Sequence, residues 1–371
     1  MTRHLLLAGG GHTHALALEA WARQPLPADV QVTLVSPEPL AAYSGMVPGW
    51  LAGVYRFEEA AIDLPRLCRL RGARWLRGEV AALRPDAHEL QLASGESMRY
   101  DLLSLNVGST LTAPEASSGA ILPLRPLSRL RATWPLWRGR FASAPDRPLR
   151  VAAVGGGAAG FEALLGVLAA LRADAPDRVI EAQWVTRSPT VLPGIAAGAR
   201  RAACRALARA GVTLVVRGDD AEAAVRGQDL VLWATGAQAH AWQRDPARRG
   251  SLAVDADGFV SIADTLQSTS HAEVFACGDC AGWPGGLPKA GVFAVRQAPV
   301  LAHNLRAVLR HEPLQPYVPQ RQFLVLLATG DGQAIAARGP FAAWGTWAWR
   351  WKDRIDRRFM SRFPQPETAS P

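Results

Sequence analysis

The residues with the most chemical content are glycines in two short turns. Gly9-Gly10-Gly11-His12-Thr13-His14 follows an apolar run at residues 4–8, and Gly155-Gly156-Gly157-Ala158-Ala159-Gly160 follows another at 150–154. A helix is expected after each, the first running through Trp21 and the second from Phe161. A pyrophosphate needs its charge met by donors. Free N–H groups at a helix N-terminus supply them, and the dipole adds about 0.3–1 kcal/mol. Side chains would block that approach, hence glycine. Gly155, Gly157 and Gly160 complete the G-x-G-x-x-G pattern between a strand and a helix. In the first turn the third glycine position is His14, so its helix is expected to pack less closely on the strand. Neither following strand ends in the carboxylate that takes a ribose hydroxyl. Ser36 closes one, with Glu38 two residues on, and Thr186-Arg187 closes the other. Arg187 suits a 2′-phosphate; a solvated loop arginine is the alternative.

These turns must be positioned by strands. Further apolar runs are expected as strands at 30–35 and 181–185. Residues 102–105 end at Asn106-Val107-Gly108, 230–233 end at Ala234-Thr235-Gly236, and 274–276 end at Cys277-Gly278-Asp279-Cys280. An amphipathic helix is expected at about 292–310, strand-like runs at 323–327 and 333–337, and a Pro/Ser/Gly-rich crossover at 114–126. The expected class is α/β: two doubly wound dinucleotide-binding (Rossmann-like) domains, the first discontinuous, plus a small C-terminal α+β segment. The division is 1–113 and 253–312 for the first domain, 114–252 for the second and 313–371 for the C-terminal segment.

The 371 residues, 49% apolar and 20% charged, suit two globular domains and exclude disorder. The low-charge stretch 151–171 is long enough for a membrane span, but its glycines make it a strand, turn and helix. Net charge is +9, from 41 cations and 32 acids. This favours anions without indicating nucleic acid, for which no motif is present. Only Lys289 and Lys352 are lysines, so each is a candidate for a role that arginine cannot fill. Four cysteines form no disulfide framework, which points to the cytoplasm.

The sequence resembles the FAD-dependent pyridine nucleotide-disulfide oxidoreductase superfamily through its two glycine turns, Ala234-Thr235-Gly236 and Gly278-Asp279. Tyr43-Ser44-Gly45-Met46-Val47-Pro48-Gly49, Gly10-Gly11-His12-Thr13-His14, residues 289–297 and residues 351–360 narrow the likeness. They resemble the type II NADH dehydrogenase-like subfamily associated with selenide, water dikinase. The resemblance implies that the first turn (Gly9, Gly10, Gly11, His12) holds FAD, together with Ser36, Tyr43, Ser44, Gly45, Met46, Val80, Asn106 and Gly108. Gly278, Asp279, Ala290, Gly291 and Val292 belong to the same implied FAD set, with Asp279 on the ribityl chain. It implies that Gly155, Gly157, Ala158, Ala159 and Gly160 hold NAD(P)H, with Arg187, Ala234, Thr235 and Gly236.

Three residues are candidates for catalysis. Lys289 precedes a helix aimed at the flavin and would add charge there, unless it is a solvated loop lysine. Glu162 looks toward nicotinamide and flavin by the resemblance; a carboxylate helping the helix dipole is the bland reading. Gln297 would border the acceptor site. The expected function is hydride transfer from NAD(P)H to FAD and onward to an acceptor, expected to be a quinone. Alternatives are a flavoenzyme of selenium or sulfur metabolism, sulfide:quinone oxidoreductase-like, and a flavin-binding sensor with little turnover.

Other chemistries lack support. Residues 43–52 hold no cysteine pair for a dithiol relay, and Cys277 and Cys280 read as small buried residues. His12 and His14 point apart on a helix, and no metal site is expected. His12 is assigned to the FAD phosphates and His14 to packing. No G-x-S-x-G marks a hydrolase. In the tail, Trp344, Trp347, Trp351, Ile355, Phe359 and Phe363 step by three or four along one expected helical face, with arginines elsewhere. Such a face suits a bilayer interface or packing on the body or a second subunit. Peripheral contact at the inner face of the membrane and a homodimer are therefore both expectations.

Overall fold

The computed structural model describes residues 2–114, 120–142, 147–187, 189–216, 225–320 and 322–366. Residues 115–119 of the expected crossover lie outside the described residues. Two five-stranded parallel sheets organise the chain. The first has the order Val274–Ala276, Leu102–Leu105, Arg3–Ala8, Val30–Ser36, Arg74–Arg77. The second has the order Ala120–Pro123, Leu230–Trp233, Leu149–Val154, Ile180–Thr186, Val212–Val216. Parallel strands are covered on both faces and so read as continuous apolar runs. Leu5, Leu6 and Leu7 are fully buried, as are Val151 and Ala152. The α/β, doubly wound class is the observed one. The first sheet takes its outermost strand from residues 274–276, after the second sheet is complete.

Each central strand turns at glycine into a helix, His12–Trp21 in one case and Ala158–Asp174 in the other. Residues 151–171 are thus a strand end, a turn and a helix start. Among the described residues no helix is long and apolar enough to cross a membrane.

Three features frame the site; of their strands, the sequence signalled only the pair expected at 323–327 and 333–337. The hairpin of Leu40–Ala42 with Ala61–Asp63 brackets the Tyr43–Met46 segment and the helix Val47–Leu51. An antiparallel meander, Val80–Arg84, Glu89–Leu92 and Ser97–Arg99, follows the first sheet's edge. A second meander, Val325–Ala328, Ala334–Arg338 and Phe341–Gly345, leads into the tail helix Thr346–Met360. The last strand corrects the expected helical stripe. Residues 341–345 pair with 334–338, and Trp344 sits opposite Ile335 on a strand. Positive φ at Gly330, Gly332 and Gly339 lets the chain reverse twice and makes this pairing available.

Candidate functional site

The first turn is built around Asn106. Gly9 has φ +102°, and a Cβ there would collide with the Asn106 carbonyl. A Cβ on Gly11 would meet the Asn106 side chain, and one on Gly278 (φ +67°) would lie 2.7 Å from its Nδ2. Asn106 N–H donates to Ala8 O at 2.8 Å, and its Nδ2 donates to Cys277 O at 2.9 Å. The N-terminal turn and the Gly278-Asp279 turn, about 270 residues apart in sequence, therefore share one side chain. Asn106 Oδ1 and His12 Nε2 are buried with no partner in the structure. Buried polar atoms are normally paired, so both fit a bound polar ligand. Gly10 closes on Ser36, whose buried Oγ donates to Glu38 O at 2.9 Å. Gly78 N–H bonds Ser36 O at 3.0 Å, placing Val80 just beyond that strand end. Gly108 adopts φ +73° after Asn106.

Asp279 meets a cation that the sequence reading missed. Arg125 Nη1 lies 2.5 Å from Asp279 Oδ2 and also bonds Ser109, whose hydroxyl is 3.4 Å from the same oxygen. Gln297 is buried and accepts the Gly278 N–H at 2.7 Å, so it anchors the Gly278-Asp279 turn to the helix Gly291–Arg310. Lys289 is half-buried. Its ammonium donates to Ala281 O at 2.6 Å and sits 3.6 Å from the Phe259 ring centre. Burial pulls its pKa down. It is not a freely solvated loop lysine. Asp279, Lys289, Ala290 and Gln297 line one small cavity. The helix begins at Gly291 beside Ser44, whose Oγ would lie 3.2 Å from a Cβ there, with Ala290 before it and Val292 in its first turn.

The Tyr43–Met46 segment is held by the tail helix, a second contact absent from the sequence reading. Tyr43 OH donates to Asp356 at 3.2 Å, and its ring stacks on Phe359 with centres 4.5 Å apart. Lys352 Nζ donates to Gly45 O at 2.5 Å and to Asp356 at 2.7 Å, with both charged side chains buried. Met46 is buried. His12 faces Tyr43 edge-on at 5.4 Å, and burial pulls its pKa down. The tail helix thus buries Ala348, Lys352, Asp356 and Met360. Of the expected stripe, Phe363 is buried and Phe359 partly so, whereas Trp347, Trp351 and Ile355 are 52%, 42% and 38% exposed.

The second turn repeats the first. Gly155 has φ +123°, and a Cβ would strike the Ala234 carbonyl, as Gly9 would strike Asn106. Gly160 lets the helix close on the Gly155 carbonyl, which a Cβ would approach to 2.5 Å. Gly157 caps that helix and Ala158 and Ala159 open it, while Thr235 and Gly236 continue from the adjacent strand. Arg187 is exposed at the end of its strand. Further along the same helix, a Cβ on Gly166 would lie 2.7 Å from Pro48 O, so this helix reaches the Val47–Leu51 helix. Glu162 accepts the Ala328 N–H at 2.8 Å. Burial pushes its pKa to about 7, with Lys352 pulling it down and Asp356 pushing it up.

The three buried cysteines are inert in placement. Cys277 and Cys280 are buried free thiols whose Sγ atoms face Leu105 O at 3.6 and 3.4 Å, and burial raises both pKa values. Cys68 is buried with its pKa pushed up to about 12, and Cys204 is exposed on the helix Ala197–Arg209. Among the described residues no His/Cys/Asp/Glu cluster could hold a metal.

Known proteins give the family. A sulfide-quinone reductase of Aquifex aeolicus (strain VF5) is 26% identical over 111 residues, 30% of this chain and 25% of that protein. The alternative NAD(P)H-ubiquinone oxidoreductase C1, chloroplastic/mitochondrial, of Arabidopsis thaliana is 26% identical over 333 residues, 77% of this chain. The match spans 63% of that relative's length. In fold, the chain is similar to the sulfide:quinone oxidoreductase of Aquifex aeolicus, with TM-score 0.75, 17% identity and coverage of 99% and 93%. It is also similar to NDH2 of Plasmodium falciparum in complex with NADH, with TM-score 0.73, 12% identity and coverage of 99% of each chain. The pyridine nucleotide-disulphide oxidoreductase family matches residues 4–298. Its members are flavoproteins that use FAD and NAD(P)H, and the two glycine cradles and the unpartnered Asn106 and His12 atoms fit those groups. The chain belongs to the pyridine nucleotide-disulphide oxidoreductase family.

Proposed function

We propose that the chain oxidises NAD(P)H through FAD and delivers the electrons to a quinone at a membrane surface. Bound FAD would supply the two-electron chemistry; the protein supplies position, charge and proton handling. Gly9, Gly11, Asn106 and Gly278 would cradle the FAD pyrophosphate and ribityl chain. Asp279, already oriented by Arg125, would accept from ribityl hydroxyls. The first turn of the helix at Gly291 would face developing negative charge on the flavin, and Lys289 would fix the loop before it. Gly155, Gly157 and Gly160 would hold the nicotinamide dinucleotide.

The observation that carries this reading is the meeting of the two halves at Tyr43–Leu51. There Gly166 closes on Pro48, and Lys352, near enough to perturb Glu162, binds Gly45. A carboxyl with a pKa of about 7 in that place suits a group that holds and releases a proton near neutrality. The exposed Trp347, Trp351 and Ile355, with exposed Arg350, Arg354 and Arg358, suit a bilayer interface.

A sulfide:quinone oxidoreductase-like reading draws on the same relatives, and the tie to selenide, water dikinase stays with it. The buried, raised-pKa Cys277 and Cys280 favour the first reading. Steady-state turnover decides between them. FAD-loaded protein should reduce a short-chain ubiquinone with NADH or NADPH as donor. Quinone reduction with sulfide or selenide alone would move the assignment to the second reading.

A further inference from the structure

We infer that His240 and Gln243 are positioning residues, which fix the nicotinamide turn against both flavin turns and so set the gap that hydride crosses. This rests on the NAD(P)H reading above and deepens it. Hydride passes when the reacting atoms lie about 3–3.5 Å apart, and a misplacement of about 1 Å costs on the order of a hundredfold in rate. The two reacting rings would be held by different halves of the chain, so one half must be fixed on the other.

The chain passes between the halves at residues 106–113 and again at 234–243, and the two passages are tied. Thr110 and Gln238 exchange both backbone hydrogen bonds at 2.9 Å. Thr112 Oγ1 donates to Gln238 Oε1 at 2.8 Å, and Trp233 Nε1 donates to Thr112 O at 3.0 Å.

His240 and Gln243 carry these ties to the flavin turns. Only residues 237–239 separate Gly236 of the nicotinamide turn from His240. His240 Nε2 lies 3.1 Å from Val107 O. A carbonyl only accepts, so Nε2 carries the proton. Val107 stands between Asn106 and Gly108 of the first cradle. Gln243 is fully buried and uses both ends of its amide. Its Nε2 donates to Cys280 O at 3.2 Å, next to Asp279, and its Oε1 accepts the His240 N–H at 3.0 Å. Side chains that only capped the short helix Ala241–Arg244 would spend these bonds locally. Here His240 Nε2 and Gln243 Nε2 each reach a carbonyl beside a residue of the FAD cradle. The segment then runs along the first half, where a Cβ on Gly250 would lie 3.1 Å from Leu83 O.

Rapid-mixing spectra of the FAD-loaded protein test this, with His240→Leu and Gln243→Met. The probe is tetrahydro-NADH, a reduced analogue that stacks on flavin and gives up no hydride. Each variant should keep its FAD and bind the probe within about threefold of the native affinity. Each should lose at least half of the long-wavelength charge-transfer absorbance that the probe gives with native protein. Each should also lower the flavin-reduction rate at saturating NADH or NADPH by about tenfold or more, a loss in the saturated rate rather than in binding. His240→Gln, whose amide can donate from near the place of Nε2, should restore most of both signals. Gln243→Met keeps the side-chain volume and decides the matter should His240→Leu fail to fold. Unchanged rate and absorbance in both variants, or a loss confined to nucleotide affinity, overturns the inference and leaves the NAD(P)H reading intact. A native flavin that neither NADH nor NADPH reduces overturns the NAD(P)H reading, and the inference falls with it.

Discussion

The Nδ1 of His14 lies 2.7 Å from the carbonyl oxygen of Gly9, in the place where a third glycine would let the helix close on the turn. A carbonyl only accepts, so Nδ1 carries the proton and Nε2 accepts from Ser104 Oγ at 2.8 Å. The other half solves the same problem differently, with Trp184 Nε1 donating to Gly155 O at 2.8 Å. The imidazole fills the gap that the missing glycine was expected to leave.

The burial of His14 has a pH signature. Burial lowers the His14 pKa from 6.5 to about 4. The folded state then binds fewer protons than the unfolded state, so stability is full above pH 6.5 and falls as pH drops toward 4. The total loss is roughly 3 kcal/mol. Thermal melts at pH 7 and pH 4.5 should show this fall for the native chain. His14→Gln should flatten it and lower the pH 7 stability by about 1–3 kcal/mol through the unpaired Gly9 carbonyl.

The two glycine turns should separate the two ligands. Gly9→Ala and Gly155→Ala each drive a Cβ into a carbonyl at a φ that L residues avoid. Gly9→Ala should yield protein that loses at least nine-tenths of its FAD on desalting. Gly155→Ala should keep its FAD and need at least tenfold more nicotinamide nucleotide for half-reduction. Absorbance of the desalted protein and a nucleotide titration check both.

The strands and glycine turns were legible because parallel strands are short, wholly apolar runs and a glycine turn has few other uses. The tail was legible only in part. Periodicity reported that Trp347, Trp351 and Ile355 share a face but not which face points inward. The inward face is Ala348, Lys352, Asp356 and Met360, since Gly45 O and Tyr43 OH satisfy the charged pair. Such complementarity comes from residues some 300 positions away, and no local pattern reveals it. Arg125 on Asp279 was missed for the same reason. The rarity of lysine was the usable signal, as both lysines donate to backbone carbonyls from half-buried or buried sites.

Breaking the buried pair should cost more than removing it. Lys352→Met alone leaves Asp356 buried and uncompensated, at about 3–5 kcal/mol, while Lys352→Met with Asp356→Leu should cost less. Chemical denaturation of the three proteins measures this. Lys352 also lowers the Glu162 pKa, so its loss should move the inflection near pH 7 in the pH–rate profile upward. Glu162→Gln should erase that inflection. An unchanged profile in both variants would remove Glu162 from proton handling.

The outer face of the tail helix should matter for lipid and not for folding. Replacing Trp347, Trp351 and Ile355 with Ser should change the melting stability by no more than about 0.5 kcal/mol per site. The same variant should lose flotation with vesicles containing phosphatidylglycerol, which the native chain should show. Sedimentation that falls from dimer to monomer on the same substitutions, with no vesicle binding by the native chain, would assign the face to a second subunit.

The most direct measurement is the visible spectrum of the purified, FAD-loaded protein during anaerobic addition of NADPH and then of a short-chain ubiquinone. The account predicts that stoichiometric nucleotide bleaches the flavin and that the quinone restores the oxidised spectrum. A flavin that stays oxidised with excess NADPH and excess NADH would contradict it.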